Sequence, residues 1–453
     1  MAKRFFISLL LIVVIVAVIA FGASAIFSSQ YETLSELQAE AARSDSFEEP
    51  LPQLDPVDSS GTESGVTTES TEKPSMLEDY DILTTDSATE PALSAPVQTT
   101  DDTSTTRAKV MLEEMTLEEK VYQMFFVTQE ALTGYTKVTQ SGNTTKAALE
   151  KRPVGGIIYF SSNLVTTTQT TEMISNIQSF STELTGRGLF IGVDEEGGSV
   201  ARAADTLGTT VFDDMAIYGE AGDTDAVYNI GLTQAEELTA LGFNVNFSPV
   251  ADVLVNENNT VVQDRSFGSD PDLVSEMVTA VVSGLKDGGM LSSPKHFPGH
   301  GSTDGDTHNG FAASDRTIED LESCEFKPFQ AAIDAGAPMI MVGHMTMTEI
   351  DDSVPACFSG TIVTGILREQ LGYDGIIITD ALNMSAITDS YTNAEAAVAA
   401  VSAGCDMLLC ISNIDSAVNA IIKAVEDGTI QESSINDSVL RILTAKYRYG
   451  IIS

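Results

Sequence analysis

The chain has 453 residues, and its 66 acidic and 23 basic side chains give a formal net charge of −43. So negative a chain repels phosphate backbones, which argues against a nucleic-acid-binding protein. The length is sufficient for one large barrel domain together with additional segments.

The N-terminus contains a long apolar segment. Lys3 and Arg4 are followed by 23 uncharged residues, 5–27. A transmembrane helix needs about 20 apolar residues, whereas a cleavable signal usually has an apolar region of about 7–15. The length therefore favours an uncleaved anchor over residues 1–27. The Ala-Ser-Ala run at 23–25 leaves cleavage, and thus secretion, as the alternative. The preceding basic residues place the rest of the chain outside the cytoplasm, in a single-pass arrangement.

An acidic segment follows the apolar one. Residues 28–106 contain 18 Asp and Glu but two Lys and Arg, together with many Ser, Thr and Pro. Such a composition buries too little apolar surface to offset chain entropy, so the segment is predicted to be a disordered linker. The globular domain is then expected over residues 107–453, and its first clear helix start is the capping box formed by Thr116 and Glu119.

Eight short apolar runs, rich in β-branched residues, recur through the globular part and alternate with segments long enough for amphipathic helices. Strands that are apolar throughout are typical of parallel sheets covered on both faces. The pattern predicts an α/β fold, a (β/α)8 TIM-like barrel. A doubly wound open sheet is the alternative, although no Gly-rich phosphate loop follows a predicted strand. The predicted strands are 124–127, 156–160, 189–193, 243–247, 291–297, 338–342, 375–379 and 407–411. The predicted helices include 171–184, 228–241, 318–335, 361–371 and 394–403.

Polar residues follow several predicted strands, at the end where barrel enzymes carry their active sites. Arginine is scarce in this chain, so Arg202 and Arg265 are of interest. Arg265 has two interpretations: an ion pair with a nearby Asp, or a rigid fork of donors for substrate oxygens. The residues expected at this rim are Asp194 with Glu195 and Glu196, Asp252, Arg265, Lys295, His296, His344 and Asp380.

Asp380 stands directly after the sequence Ile-Ile-Ile-Thr. An Asp at the end of a strand often caps the following helix. The alternative is a functional carboxylate at the mouth of the barrel, acting as a nucleophile or as an electrostatic stabiliser.

Three of the four histidines lie within residues 295–310. His296 and His300 have the four-residue spacing of zinc-binding helices, and Asp304 and Asp306 could add carboxylate ligands. The Pro-Gly pair between the two histidines prevents the helix that such a site requires. No metal and no other cofactor is therefore expected.

Asp306 and His308 are two residues apart in the same Gly-rich loop. In extended backbone their side chains point the same way, so the carboxylate can orient the imidazole and stabilise its protonated form. The alternative is a pair of solvated side chains in a turn. Lys295 and His296, at a strand end, are better explained as hydrogen-bonding partners of substrate hydroxyls.

The four cysteines, Cys324, Cys357, Cys405 and Cys410, lie in the second half of the chain without Cys-x-x-Cys spacing. Their density is too low for a disulfide scaffold. Cys405 and Cys410 flank an apolar run and are predicted to be buried thiols.

Several stretches together resemble glycoside hydrolase family 3, and within it the bacterial β-N-acetylglucosaminidases of peptidoglycan recycling. The most specific is Lys-His-Phe-Pro-Gly-His-Gly at 295–301, followed by Asp-Thr-His at 306–308 and Thr-Asp at 379–380. The resemblance extends from about residue 110 to the end of the chain. Weaker stretches support it in order at 154–156, 194–198, 244–252 and 264–268. Three positions depart from the family pattern: Glu195 stands where Gln is frequent, Ser199 where Arg is frequent, and Thr307 where Ser is common.

The resemblance implies a retaining, two-step hydrolysis of β-glycosides. Asp380 would be the nucleophile, and His308, oriented by Asp306, would be the acid/base in place of the usual second carboxylate. The implied substrate is a cell-wall fragment carrying a terminal GlcNAc. The implied sugar-binding residues are Asp194, Arg202, Arg265, Lys295 and His296.

Other activities are compatible with the same residues. An imidazole acid/base repels phosphate less than a carboxylate does, so a phosphorylase is one alternative, and a transglycosylase or a β-glucosidase is another. A non-catalytic wall-binding protein is the alternative from a different class. The expected partners are carbohydrate and, through the N-terminal helix, a membrane; none is a nucleic acid.

Overall fold

The computed structural model describes residues 101–303 and 312–453. The predicted anchor 1–27 and most of the predicted linker 28–106 lie outside this range, as do Asp306 and His308. Within the described residues, no helix has both the length and the apolar character needed to cross a membrane.

The described chain begins with the helix Asp101–Glu114. Residues 101–106 are therefore helical, and the predicted end of the linker at residue 106 is wrong. The reason is a contact that composition does not reveal, because the first helix packs on the last one, Glu432–Arg448. The guanidinium carbon of Arg107 lies 4.5 Å from the centroid of the Tyr447 ring, and Ala108 is fully buried.

The second helix, Leu117–Gln123, begins at the predicted capping box. Thr116 Oγ1 accepts from the Glu119 N–H at 3.2 Å, and Glu119 Oε2 accepts from the Thr116 N–H at 2.9 Å. Two of the unpaired donors at the helix start are thus satisfied, and the prediction is confirmed.

Each of the eight predicted strand runs overlaps a parallel strand, and four further short strands form two peripheral pairs. In chain order the strands are β1 (Phe125–Thr128), β2 (Gly156–Ile158), β3 (Phe190–Val193), β4 (Glu195–Gly197), β5 (Val200–Ala201), β6 (Val245–Asn246), β7 (Leu291–Ser292), β8 (Ala313–Ser314), β9 (Met339–Val342), β10 (Thr346–Met347), β11 (Ile376–Thr379) and β12 (Leu408–Leu409). The connecting helices are Gln129–Thr133, Asn143–Lys151, Thr167–Thr185, Arg202–Leu207, Met215–Ala221, Thr224–Leu241, Pro271–Asp287, Ile318–Ser323, Phe326–Ala335, the π-type Thr361–Gln370, Ser385–Thr388, Asn393–Ala403 and Ile414–Glu426.

Six of the strands form one parallel sheet in the order β12-β1-β2-β3-β6-β7. β9 and β11 pair with each other, also in parallel. Single parallel bridges, Phe297 with Val342 and Ile378 with Met407, link this pair to the two edges of the larger sheet. The predicted α/β fold is confirmed as a parallel-sheet half-barrel of six strands, with β9 and β11 bridging towards both of its edges.

Aromatic side chains fill the inner face of this sheet. The Phe126 ring stacks on that of Phe190, with 6.3 Å between centroids, and meets the Phe247 ring edge-on at 5.2 Å. Gly192 on β3 provides the space, because a Cβ at this position would come within 2.8 Å of the Phe126 ring. The interior is a packed core rather than an open channel.

The predicted helix 318–335 is in fact two helices, Ile318–Ser323 and Phe326–Ala335. Between them, the buried Glu325 receives the guanidinium fork of Arg316, with both N–O distances at 2.8 Å. The prediction of one helix is wrong because the apolar periodicity contains no information about this ion pair, which takes the chain out of helical register.

Candidate active site

A cavity of about 580 Å³ opens beyond the carboxyl ends of the strands. Its wall contains the predicted nucleophile and all five predicted sugar-binding residues: Asp194, Arg202, Arg265, Lys295, His296 and Asp380. Glu195, Asp252 and His344, also expected at the rim, are not part of this wall. The two other predicted residues, Asp306 and His308, belong to the segment 304–311, which is outside that part. Further side chains of the wall include Phe160, Glu196, Thr260, His300, Asn383 and Met384.

A network of ion pairs forms one side of the cavity. Lys295, only 3% exposed, donates from Nζ to Asp194 Oδ1 at 2.8 Å and lies 2.6 Å from Glu196 Oε1. Glu196 also receives the fork of Arg265, with Nε to Oε2 at 2.7 Å and Nη2 to Oε1 at 2.8 Å. The four side chains come from residues that follow β3, β6 and β7, so the parallel sheet brings them to one edge.

The charges in this network stabilise one another. Burial raises the pKa of Glu196, but the neighbouring Arg265 and Lys295 lower that pKa by more, to well below its ordinary value. Burial lowers the pKa of Lys295, but Asp194 and Glu196 raise that pKa above its ordinary value. Lys295 and Glu196 are therefore ionised at neutral pH, and their hydrogen bonds hold them in fixed positions.

Arg265 combines features of its two predicted interpretations. It forms an ion pair, but the partner is Glu196, 69 residues earlier, rather than a nearby Asp. Its Nη1 donates to the Val261 carbonyl oxygen at 3.2 Å. The guanidinium lines the cavity while it fixes Glu196. Sequence reasoning assigned no role to Glu196, although its place two residues after Asp194, at a strand end, was the available signal.

Asp252 is fully buried and accepts hydrogen bonds from two residues of the histidine-containing loop. His296 donates from Nδ1 to Asp252 Oδ2 at 2.7 Å, and the backbone N–H groups of His296 and His300 donate to Oδ1 at 3.2 and 2.7 Å. Burial raises the pKa of Asp252, but the charge and hydrogen bond of His296 lower that pKa by more. His296 is thus locked in place with its ring in the cavity wall.

The His296 and His300 rings meet edge-on, with 5.9 Å between their centroids. His300 Nδ1 lies 3.1 Å from Thr303 Oγ1, and burial lowers the pKa of His300 below its ordinary value. Within residues 101–303 and 312–453, no three His, Cys, Asp or Glu side chains form a group that could hold a metal ion. Asp304 and Asp306, considered as possible ligands, are not among these residues.

Asp380 directly follows β11, on the other side of the cavity. Its N–H donates to the Val342 carbonyl oxygen at 2.8 Å, and its Oδ1 accepts from the Ala381 N–H at 2.6 Å. The next helix, Ser385–Thr388, has Met384 at its N-cap position, so Asp380 does not cap it. Burial raises the pKa of Asp380, but His344, His296 and the Ala381 N–H together lower it below its ordinary value. Asp380 is an ionised carboxylate, as a nucleophile must be.

Glu195 is buried beside the network but contacts the start of the helix Arg202–Leu207. Its Oε2 accepts from the Ala203 N–H at 2.6 Å and its Oε1 from the Ala204 N–H at 3.0 Å. Burial raises the pKa of Glu195 to about 7, although both hydrogen bonds lower it. Arg202 is the first residue of this helix, so Glu195 helps to place an arginine of the cavity wall.

Cys357, Cys405 and Cys410 are buried, unlinked thiols, and Cys324 is partly exposed. The prediction for Cys405 and Cys410 is confirmed. His344, expected at the rim, follows β9 but is fully buried behind the turn formed by Asp380 and Ala381.

Known proteins are similar to this chain in sequence. The sequence profile of the glycosyl hydrolase family 3 N-terminal domain matches residues 116–445. A β-hexosaminidase of Chromobacterium violaceum is 37% identical over 286 residues, which is 62% of this chain and 78% of that protein. β-Hexosaminidase A of Pseudoalteromonas piscicida is 32% identical over 323 residues, 66% of this chain and 54% of that protein.

Solved structures are similar as well. A glycoside hydrolase family 3 β-N-acetylglucosaminidase from Paenibacillus sp. superposes with a TM-score of 0.70 and 35% identity, over 75% of this chain and 64% of that chain. A β-N-acetylhexosaminidase from Beutenbergia cavernae gives a TM-score of 0.67 and 27% identity, over 74% of this chain and 99% of that chain. The chain thus spans less than two thirds of the Paenibacillus and Pseudoalteromonas proteins, but nearly all of the Beutenbergia enzyme.

Proposed function

The chain belongs to glycoside hydrolase family 3, and we propose that it is a β-N-acetylhexosaminidase that releases terminal GlcNAc from cell-wall-derived β-glycosides with retention of configuration. The main support for this proposal is an ionised carboxylate, Asp380, in the wall of a polar cavity. The other side of the cavity is formed by the network of Lys295, Asp194, Glu196 and Arg265. The names of the similar proteins support the choice of sugar.

In the first step of the proposed reaction, a carboxylate oxygen of Asp380 attacks the anomeric carbon and the glycosidic bond breaks. The product is a covalent glycosyl-enzyme, which water hydrolyses in the second step. The lowered pKa of Asp380 supports this role, because only the ionised form is nucleophilic.

His308 is the proposed acid/base. It would protonate the leaving oxygen in the first step and take a proton from water in the second, with Asp306 orienting its ring. Support for both residues comes from their sequence motif, since the segment 304–311 lies outside the described range.

The sugar would bind against the charged side of the cavity. Donors and acceptors that are already fixed by mutual hydrogen bonds lose little entropy when a hydroxyl replaces water next to them. Lys295, Asp194 and His296 are therefore proposed to contact sugar hydroxyls, together with Arg202. Arg265 is proposed to act mainly by holding Glu196 in position.

The framework for this reaction is inferred to be a closed (β/α)8 barrel. The bridges from Phe297 to Val342 and from Ile378 to Met407 support closure, since they join β9 and β11 to the edges of the six-stranded sheet.

We also propose that residues 1–27 anchor the enzyme in the membrane with its catalytic domain outside the cytoplasm. The length of the uncharged segment and the preceding Lys3 and Arg4 support the anchor. After cell fractionation, the full chain should sediment with membranes; recovery of an intact chain in the soluble fraction would contradict it.

The activity is tested with a chromogenic GlcNAc β-glycoside, alongside the matching glucoside. We expect wild type to prefer the GlcNAc compound and Asp380→Ala to lose about 10⁴-fold or more in kcat. Asp389→Ala, at an exposed position nine residues further on, is the matched control and should keep full activity. Absent turnover by wild type, or undiminished turnover by Asp380→Ala, would end the proposal.

Two further measurements resolve the mechanism. Adding inorganic phosphate distinguishes a hydrolase from a phosphorylase, because only a phosphorylase would form a sugar 1-phosphate. A 2-substituted fluorosugar should trap the glycosyl-enzyme, and peptide mapping should find the label on Asp380. A label on any other residue would contradict the assigned nucleophile.

A further inference from the structure

A chain of hydrogen bonds reaches Asp380 from behind the cavity. Cys357 Sγ lies 3.3 Å from His344 Nδ1, and His344 Nε2 lies 3.0 Å from the Ala381 carbonyl oxygen. The N–H of Ala381 donates to Asp380 Oδ1 at 2.6 Å. Both Cys357 and His344 are fully buried.

The direction of these hydrogen bonds follows from the atoms involved. A carbonyl oxygen only accepts, so Nε2 of His344 must carry the proton that it donates to Ala381. Burial raises the pKa of Cys357 well above its ordinary value, so this residue is a thiol and has a proton to donate. Nδ1 therefore accepts from the thiol in the tautomer of His344 that carries its proton on Nε2.

We propose that Cys357 and His344 are positioning residues for the nucleophile. The thiol fixes the tautomer of His344, the imidazole fixes the Ala381 peptide group, and that peptide group orients the carboxylate of Asp380. This inference rests on the proposed function, in which Asp380 attacks the sugar. A carboxylate held in one orientation reaches the anomeric carbon without first losing rotational freedom.

The surroundings of Cys357 keep the thiol in place. Cys357 belongs to a buried turn, Ala356–Phe358, whose Ala356 N–H donates to the Met345 carbonyl oxygen at 2.8 Å. The Cys405 thiol lies 3.5 Å from the carbonyl oxygen of Cys357. Among the described residues, the ionisable groups that act on Asp380 and Cys357 include His296 and Lys295 on the cavity side and Cys405 on the far side.

The charge of His344 also matters, because the charged form of this ring lowers the pKa of Asp380. A thiol that donates to Nδ1 opposes protonation of that atom, so loss of the thiol favours the imidazolium beside Asp380. A cation there would stabilise the carboxylate and make it a weaker nucleophile. Loss of the thiol proton should therefore change both the rate and its dependence on pH.

The test compares Cys357→Ser with Cys357→Ala in the full chain, assayed on the chromogenic GlcNAc β-glycoside. A serine hydroxyl still donates, so Cys357→Ser should stay within about threefold of wild-type kcat. Cys357→Ala should lose about tenfold in kcat with little change in KM, and the acidic limb of its pH profile should move to higher pH. Cys324→Ser, at the partly exposed cysteine, is the control for thiol replacement.

A second pair of variants tests His344 itself. The side-chain amide of Gln can donate to the Ala381 carbonyl in place of Nε2, so His344→Gln should keep more activity than His344→Ala by about tenfold. Equal kcat values within both pairs, with the acidic limb unmoved, would overturn the inference even if the melting temperatures fall. Inactive wild type would instead refute the proposed function, so the two failures are distinguishable.

Discussion

Two buried lysines lie at opposite ends of the parallel strands, and their surroundings differ. Lys295 follows β7 at the carboxyl end, beside the cavity, and Lys446 lies in the last helix near the amino ends of β1 and β3. Lys295 contacts two carboxylates. Lys446 Nζ donates to Gln123 Oε1 at 2.9 Å and lies 5.1 Å from the centroid of the Phe190 ring.

The partners, and not the depth of burial, decide the charge of each lysine. Burial lowers the pKa of both side chains, and for Lys446 it lowers the pKa well below the ordinary value, with nearby Arg187 acting in the same direction. For Lys295 the two carboxylates outweigh burial and raise the pKa. The carboxyl end of the sheet thus favours the charged form of its buried lysine, whereas the amino end disfavours it.

The largest effect is expected from Lys295→Met. This change leaves Glu196 and Asp194 buried without one of their cations, so about 3 kcal/mol of stability should be lost. Activity on the GlcNAc β-glycoside should fall about a hundredfold or more, because a fixed donor of the cavity wall disappears. Chemical denaturation and steady-state kinetics measure the two effects.

Lys446→Met is the matched control, since it replaces an equally buried lysine by the same side chain at the other end of the sheet. It should retain wild-type kcat and KM. If both variants lost activity equally, the contrast between the two ends would be wrong, and burial of any lysine would explain the loss.

The difference between these lysines also shows how far the sequence could be interpreted. Lys295 could be placed because it follows a predicted strand, and the carboxyl ends of parallel strands meet at one edge. Asp380 and Asp194 were predicted for the same reason. The partner of Lys446 is Gln123, which lies 323 residues earlier in the sequence, and no local pattern indicates such a pairing.

Ion pairs explain two further results that the sequence patterns did not predict. The role of Glu196 depends on Arg265 and Lys295, which come from two later strands. Likewise the break in the predicted helix 318–335 depends on the pair of Arg316 and Glu325. Periodicity reports which face of an element is apolar, but not which buried charges meet.

Glu195 differs from the paired carboxylates at the carboxyl ends of the strands, because its oxygens accept from two backbone N–H groups rather than from a cation. Its pKa is raised to about 7, so the folded protein holds this proton more tightly than the unfolded chain does. The free energy of unfolding should therefore fall as the pH rises from about 4.5 to about 7, by at most about 3 kcal/mol. Glu195→Gln should remove this contribution from the pH dependence.

The measurement is the difference in free energy of unfolding between wild type and Glu195→Gln across that pH range. Glu220→Gln, at an exposed position, is the control and should leave the pH dependence as in wild type. A difference that does not change with pH would show that Glu195 is ionised throughout, as the paired carboxylates of the cavity are.

The smallest effect is expected from Lys446→Met on stability. Near pH 10 the two side chains are similar in size and burial disfavours the charged form of the lysine, so the free energy of unfolding should change there by less than about 1.5 kcal/mol. The pKa of Lys446 is lowered in the folded protein, so between that lowered value and about 10.5 the unfolded chain binds more protons. Wild type should accordingly gain stability relative to Lys446→Met as the pH rises through this range, which urea titrations at about pH 7 and about pH 10 would measure. A constant difference would mean that Lys446 keeps its charge against Gln123 and the Phe190 ring, and the two ends of the sheet would then treat a buried lysine alike.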